Sequence, residues 1–148
     1  MQIERIHIRL IEHPNYHRAV FPLEHAYVED YWMSILGPTS VAVLRHVARR
    51  AETYADPGVT DDSRDLSVRF GLGNGNGRQA PMLRTLDRLC HFGAAVWDIT
   101  PAQADTLAAV TIFDRIDVVP LAHVNRWNVI RQAEHRATVA AQLAEVMR

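Results

Sequence analysis

Residues 62–93 hold the pattern that most narrows what this chain can become. The polar cluster Asp61-Asp62-Ser63 can cap a short amphipathic run, RDLSVRFG, which Gly71 closes in the position after a helix. A glycine-rich loop, GLGNGNGRQA, then leads to Pro81 and a second helical run, PMLRTLDRLCHFG, ended by Gly93. Two short helices across a turn cannot bury their apolar faces alone, so the flanking chain must cover them. The pattern predicts a helix–turn–helix unit.

The flanks offer that cover. Ile6, Ile8 and Leu10 alternate with Arg5, His7 and Arg9, the period of a half-buried strand. Glu12 to Phe21 contains Pro14 and Asn15 and reads as a loop. Pro22 suits the first turn of a helix carrying Leu23, Ala26, Tyr27, Tyr31, Met33 and Ile35 up to Gly37-Pro38. Thr39 or Ser40 is expected to cap the next helix, which places Val43, Leu44, Val47, Ala48 and Ala51 on one side. Asp56-Pro57-Gly58 then turns the chain. After Gly93, AAVWDI, TLAAVTIF and IDVVPL are strand-like, with TPAQADTL as a loop capped by Thr100. The segment 125–147 is alanine-rich and helical, with Trp127 and Ile130 on a broken apolar stripe. Three helices followed by a two-stranded hairpin predict a mainly α chain with a small β-hairpin (α+β). The expected architecture is a winged helix-turn-helix with an N-terminal strand and an appended C-terminal helix. One domain is expected over 1–148, its core at 22–120.

The chain has 148 residues, enough to bury a core as one domain. No apolar run reaches the roughly 18–20 residues that cross a bilayer, so no membrane association is expected. The start, MQIERIHIRLIEH, carries charges throughout and lacks the apolar centre of a secretory signal. A single cysteine, Cys90, fits a reducing cytoplasm. The net charge of −1 is not the basic field of a strong nonspecific nucleic-acid binder. Local balance is more telling. Leu66–Phe92 holds Arg69, Arg78, Arg84 and Arg88 against Asp87, whereas Asp98–Pro120 holds four aspartates against Arg115.

At about 100° per residue, Leu83, Leu86, Leu89 and Cys90 share one face of the second helix, and Arg84, Arg88 and His91 lie opposite. A recognition helix reads bases chiefly from its N-terminal residues. Gln79 and Arg84 are therefore the expected base contacts, with Arg78 and Arg88 on phosphate and Arg69 and His91 completing the DNA-binding set. Amphipathic surface helices commonly carry such charges without any nucleic acid, and Asp87 would repel phosphate unless paired with Arg84 or His91.

Other constellations point to less. Gly71, Gly73, Gly75 and Gly77 lack the following GK[ST] of a phosphate loop, and a flexible turn is the expectation, with Asn74 and Asn76 tolerating left-handed conformations. The His13/His17 spacing is interrupted by Pro14, and the other histidines are scattered, so no metal site and no cofactor are expected. Cys90 falls on the apolar face, where a thiol is inert, and Ser34, Ser40, Ser63 and Ser67 occupy no nucleophile turn. The aspartates at 98, 105, 114 and 117 are expected to face water along a hairpin. No enzyme activity is expected.

The pieces DYWMSILGPTSVAVLRHVAR, DLSVRFGLG and LRTLDRLCHFGAAVW together resemble a winged-helix domain. The first is similar to the opening of the N-terminal domain of primosomal DnaB/DnaD-type replication-initiation proteins, and the resemblance covers roughly residues 23–97. That resemblance implies association with DNA or a replication complex, and self-association. The chain departs from it in its long glycine turn, and no second, C-terminal domain is expected. The expected function is a DNA-binding protein, a transcriptional regulator or a replication or partition accessory factor, acting on double-stranded DNA as a homodimer. The alternative is a non-catalytic protein–protein interaction module on the same scaffold, which the acidic hairpin would suit.

Overall fold

A computed structural model describes residues 2–15, 18–54 and 56–148. Six strands and six helices occur in the order β1 (Arg5–Ile11), β2 (Val20–Pro22), α1 (Met33–Leu36), α2 (Pro38–Thr53), β3 (Val59–Asp62), α3 (Ser63–Arg69), α4 (Pro81–His91), β4 (Ala95–Ile99), β5 (Leu107–Phe113), β6 (Arg115–Asp117), α5 (Leu121–Val124) and α6 (Val129–Val146). A π-helical turn, Val28–Trp32, runs directly into α1. With 47% helix and 22% strand the fold is mixed α+β, and it holds more sheet than one hairpin.

The extra sheet comes from β1 and β3. The main sheet has the order β3-β1-β5-β4, with β1 parallel to β5 and antiparallel to β3. The expected hairpin is present as antiparallel β4 and β5. The N-terminal strand, however, is central: it lies between β3 and the hairpin. Its apolar residues Ile6 and Ile8 are fully buried under the helices, together with Val110 and Ile112 of β5. Each such side chain stabilises the fold by about 1.5–3 kcal/mol relative to exposure. Trp32, Leu44, Leu86 and Leu89 complete the same core.

Several local expectations are corrected. Pro22 ends strand β2 and does not begin a helix. Val20 and Phe21 are fully buried against β6, and a proline is tolerated at the end of a short strand. Neither Thr39 nor Ser40 caps α2; Gly37 holds the cap position at φ +84°, and Pro38, which has no N–H to satisfy, takes the first turn. Ser40 is buried. Residues 59–62 were expected only as a turn and a cap, yet they pair with β1 over the whole length of β3. Of IDVVPL only Ile116 and Asp117 are in a strand, and β6 pairs with β2, not with the hairpin.

The helix–turn–helix region follows its pattern more closely. Asp62 caps α3 by accepting from the Asp65 N–H at 3.0 Å. Gly71 follows at φ +67°, and Gly93 closes α4 at φ +81°. The intervening turn is not free, contrary to expectation. The Ile3 N–H donates to the Asn76 carbonyl at 2.7 Å, Gln2 bridges to Gly77, and Asn76 is buried. No described residue other than glycine has a positive φ, so Asn74 and Asn76 are not left-handed. The N-terminal segment pins the turn to the sheet.

Candidate nucleic-acid interface

Helix α4 carries most of the expected contacts, and its sequence fixes which side is available. Met82, Leu83, Leu86 and Leu89 are buried against α2 and β4, so positions 84, 87, 88 and 91 face outward and are exposed. Ala80 provides no side-chain cap, and no acid lies in the first turn. The partial positive charge of the helix start therefore faces solvent without a carboxylate over it.

The six expected residues separate into three groups. Arg78, Gln79 and Arg84 line one cleft between the start of α4 and the hairpin, together with Leu83, Asp87, Trp97, Thr100, Pro101 and Ala102. Arg88 and His91 both lie at Phe92: the Arg88 guanidinium sits 5.6 Å from the ring centroid, and His91 meets it edge-on at 5.0 Å. Arg69, exposed at the end of α3, lines a separate cleft with His46, Arg50, Asp61, Asp62, Asp65 and Leu66.

Their freedom differs as well. Arg78 donates from Nε to the Pro101 carbonyl at 2.6 Å and from Nη2 to the Ala104 carbonyl at 2.5 Å. It therefore fastens the turn between β4 and β5 to α4. Arg88 donates to the Ile35 carbonyl at the end of α1. The side chains of Gln79 and Arg84 form no hydrogen bond or ion pair with any described residue. Asp87 is occupied by neither Arg84 nor His91: its Oδ1 accepts from the Trp97 indole N–H at 3.2 Å.

The aspartates after residue 97 also divide. Asp98 accepts from the Thr111 hydroxyl at 2.6 Å, and that hydroxyl in turn accepts from Arg9. Asp114 accepts from the His13 N–H at 2.8 Å, and Asp117 pairs with His13 Nε2 at 3.1 Å. Only Asp98 and Asp105 belong to the hairpin and its loop, and of these only Asp105 has no partner among the described residues. The hairpin and its loop thus carry two exposed carboxylates and no cation, and Asp114 and Asp117 lie outside them. Thr100 and Gln103 exchange side-chain-to-backbone hydrogen bonds at 3.1 and 3.2 Å, so the expected Thr100 cap is formed.

Titration behaviour follows burial. Burial, with Asp87 adding to it, pushes the Cys90 thiol up to about 12, so it stays protonated and a poor nucleophile at neutral pH. His46 is held below the usual histidine value by burial first, then by the charges of Arg69 and Arg49. Among the described residues no three His, Cys, Asp or Glu side chains converge to hold a metal ion. His17 lies outside the described residues, so the His13/His17 pair is not described. No described helix is long and apolar enough to cross a membrane.

Sequence reasoning overlooked Trp97, although a signal was present. In β4, Ala95 and Trp97 must share one face, and the burial of Ala95 directs that face toward α4. Trp127, expected on the apolar stripe of the C-terminal helix, lies just before α6. Trp127 is half-buried in a cage with Tyr31 and His135, where Arg131 sits 4.5 Å from its ring centroid.

No family model matches the chain, and no curated protein matches it. Among solved structures it is similar to the crystal structure of primosome protein DnaB (residues 1–300) from Geobacillus stearothermophilus, with a TM-score of 0.51 and 10% sequence identity. The match covers 97% of this chain and 51% of that one, so the chain spans about half the length of the structure it resembles, and at this identity the likeness is one of fold.

Proposed function

We propose that this chain is a non-catalytic DNA-binding protein of the cytoplasm on a winged-helix scaffold. It serves as a transcriptional regulator or as a replication or partition accessory factor, and α4 reads double-stranded DNA. The order α2–β3–α3–α4–β4–β5 supports this reading, because a helix, a strand, two further helices and a hairpin are what such a scaffold needs. Likeness in fold to a protein described as a primosome component favours the replication branch. One observation carries the proposal. At the entry of α4 the fold uses Arg78 for its own carbonyls and leaves the Gln79 and Arg84 side chains exposed and without partners among the described residues.

Duplex binding measured at several salt concentrations tests it. Arg84→Ala removes no intramolecular bond and is expected to weaken binding and to lower the slope of log K against log salt by about one. Gln79→Ala is expected to relax sequence preference and leave that slope unchanged. Duplex affinity in Arg84→Ala plus Arg88→Ala equal to that of the parent chain would remove α4 as the reading element.

A second reading, a protein–protein interaction module, is favoured by α6. Val129, Ile130 and Met147 on its outer side are 78%, 72% and 73% exposed, while His135 is its buried residue. A helix with its apolar side outward offers a surface to another chain, and the proposed homodimer uses it.

A further inference from the structure

The cleft between the start of α4 and the hairpin has a composition that phosphate contacts alone do not need. Its space is about 250 Å³, near the small end of ligand pockets, which run to about 300 Å³ and above. That suits a flat ring. Its aromatic and apolar lining comes from Trp97, Leu83, Pro101 and Ala102. The rest is polar: the Gln79 amide donates and accepts, and Arg84 supplies a cation with no partner among the described residues. Asp87 spends Oδ1 on the Trp97 indole, leaving Oδ2 without a hydrogen bond among the described residues. That bond also fixes the ring plane of Trp97. No other aromatic ring among the described residues stacks on it.

Each part matches one part of a nucleotide. An indole face stacks on a base whatever its identity. A carboxylate oxygen accepts from an exocyclic amine, as carboxylates do from cytosine. A guanidinium pairs with the phosphate that follows. A paired base within a duplex has its faces covered by its neighbours, so only an unpaired base can reach the indole. We propose that this cleft is a subsite for one unpaired DNA nucleotide, its base on Trp97 with an exocyclic amine toward Asp87, and its phosphate on Arg84. The subsite rests on the DNA-binding reading above and makes the junction between paired and unpaired strand the preferred ligand.

The test compares three oligonucleotides at one salt concentration: a duplex, the same duplex carrying one unpaired cytosine, and the single strand. Affinity and tryptophan fluorescence are read together. The parent chain is expected to bind the bulged duplex about tenfold more tightly than the plain one, with quenching that Trp97→Phe abolishes. Trp97→Phe keeps a stacking ring and retains most of the preference, whereas Trp97→Ala is expected to bind the plain and the bulged duplex equally. Asp87→Asn keeps an acceptor for the indole and is expected to reduce the discrimination of cytosine from thymine in the bulge. Equal affinity of the parent chain for plain and bulged duplexes overturns the subsite and leaves the DNA-binding reading standing. Absence of binding to all three overturns both.

Discussion

At the scale of single residues, the polar bond beneath α6 makes stability depend on pH. The Tyr27 hydroxyl accepts from the Val119 N–H at 2.9 Å and lies 2.7 Å from His135 Nε2, and both side chains are buried. Neutral His135 with a bare Nε2 accepts the hydroxyl proton, which no other described group takes. Burial, followed by the charge of Arg131, lowers its pKa from the ordinary 6.5. A histidine with a depressed folded-state value binds its proton first in the unfolded chain. Its contribution is therefore complete above about pH 6.5 and is lost as pH falls from there through the folded value. The urea midpoint is expected to fall between pH 7.5 and 5.5. In His135→Gln, which keeps an acceptor for Tyr27, the fall is expected to shrink to the part that His46 supplies by the same mechanism. A midpoint that does not change with pH in the parent chain would contradict this account.

At the scale of elements, the close approach of the turn before β3 to β1 sets a strict requirement. Gly58 lies at φ +103°, and a Cβ added there would stand 2.2 Å from the Ile8 carbonyl oxygen, which belongs to β1. A side chain at such a φ costs about 1–3 kcal/mol before any clash is counted. Gly58→Ala is expected to cost about 3 kcal/mol or more, measured by denaturant unfolding. Gly75→Ala, in open space without a positive φ, is expected to stay within about 0.5 kcal/mol of neutral or to stabilise slightly. Equal costs at the two sites would show that the β1–β3 junction adjusts freely. The contrast also shows what the sequence revealed. Periodicity and caps identified α3, α4 and β1, because these depend on neighbours a few residues away. The four residues of β3 lack enough alternation to register, and β1 reaches β5 across about a hundred residues and β3 across more than fifty. In the candidate site, the outward positions of α4 were legible from its helical period. That Arg78 and Arg88 would be spent on the carbonyls of Pro101, Ala104 and Ile35 was not, since those acceptors come from a turn and a helix distant in sequence.

At the scale of the whole molecule, α6 is built the wrong way round for a helix that only covers a core. Its inward contacts are largely polar: His135 to Tyr27, Gln142 to the Val20 carbonyl at 2.8 Å, and Arg131 to the Asp30 carbonyl at 2.6 Å. At about 100° per residue, Val129, Ala133, Ala137, Ala140, Ala144 and Met147 form one stripe, and every one of them is exposed. The alanines in the middle allow another helix to approach closely, and the larger residues at the two ends meet one another when two copies of α6 run antiparallel about a twofold axis. The proposed homodimer follows from that arrangement, and it would carry two α4 helices to one duplex. Ala137→Glu places a charge in the middle of the stripe, at an exposed helical position where a monomer tolerates it. Sedimentation is expected to show a concentration-dependent dimer for the parent chain and a monomer for Ala137→Glu, at unchanged helix content. The variant is also expected to bind a single half-site with near-parent affinity and a two-half-site duplex much more weakly than the parent chain. A monomeric parent chain at the highest concentrations, or a dimer that Ala137→Glu leaves intact, would refute dimerisation through α6, and α4 would then have to find its site one copy at a time.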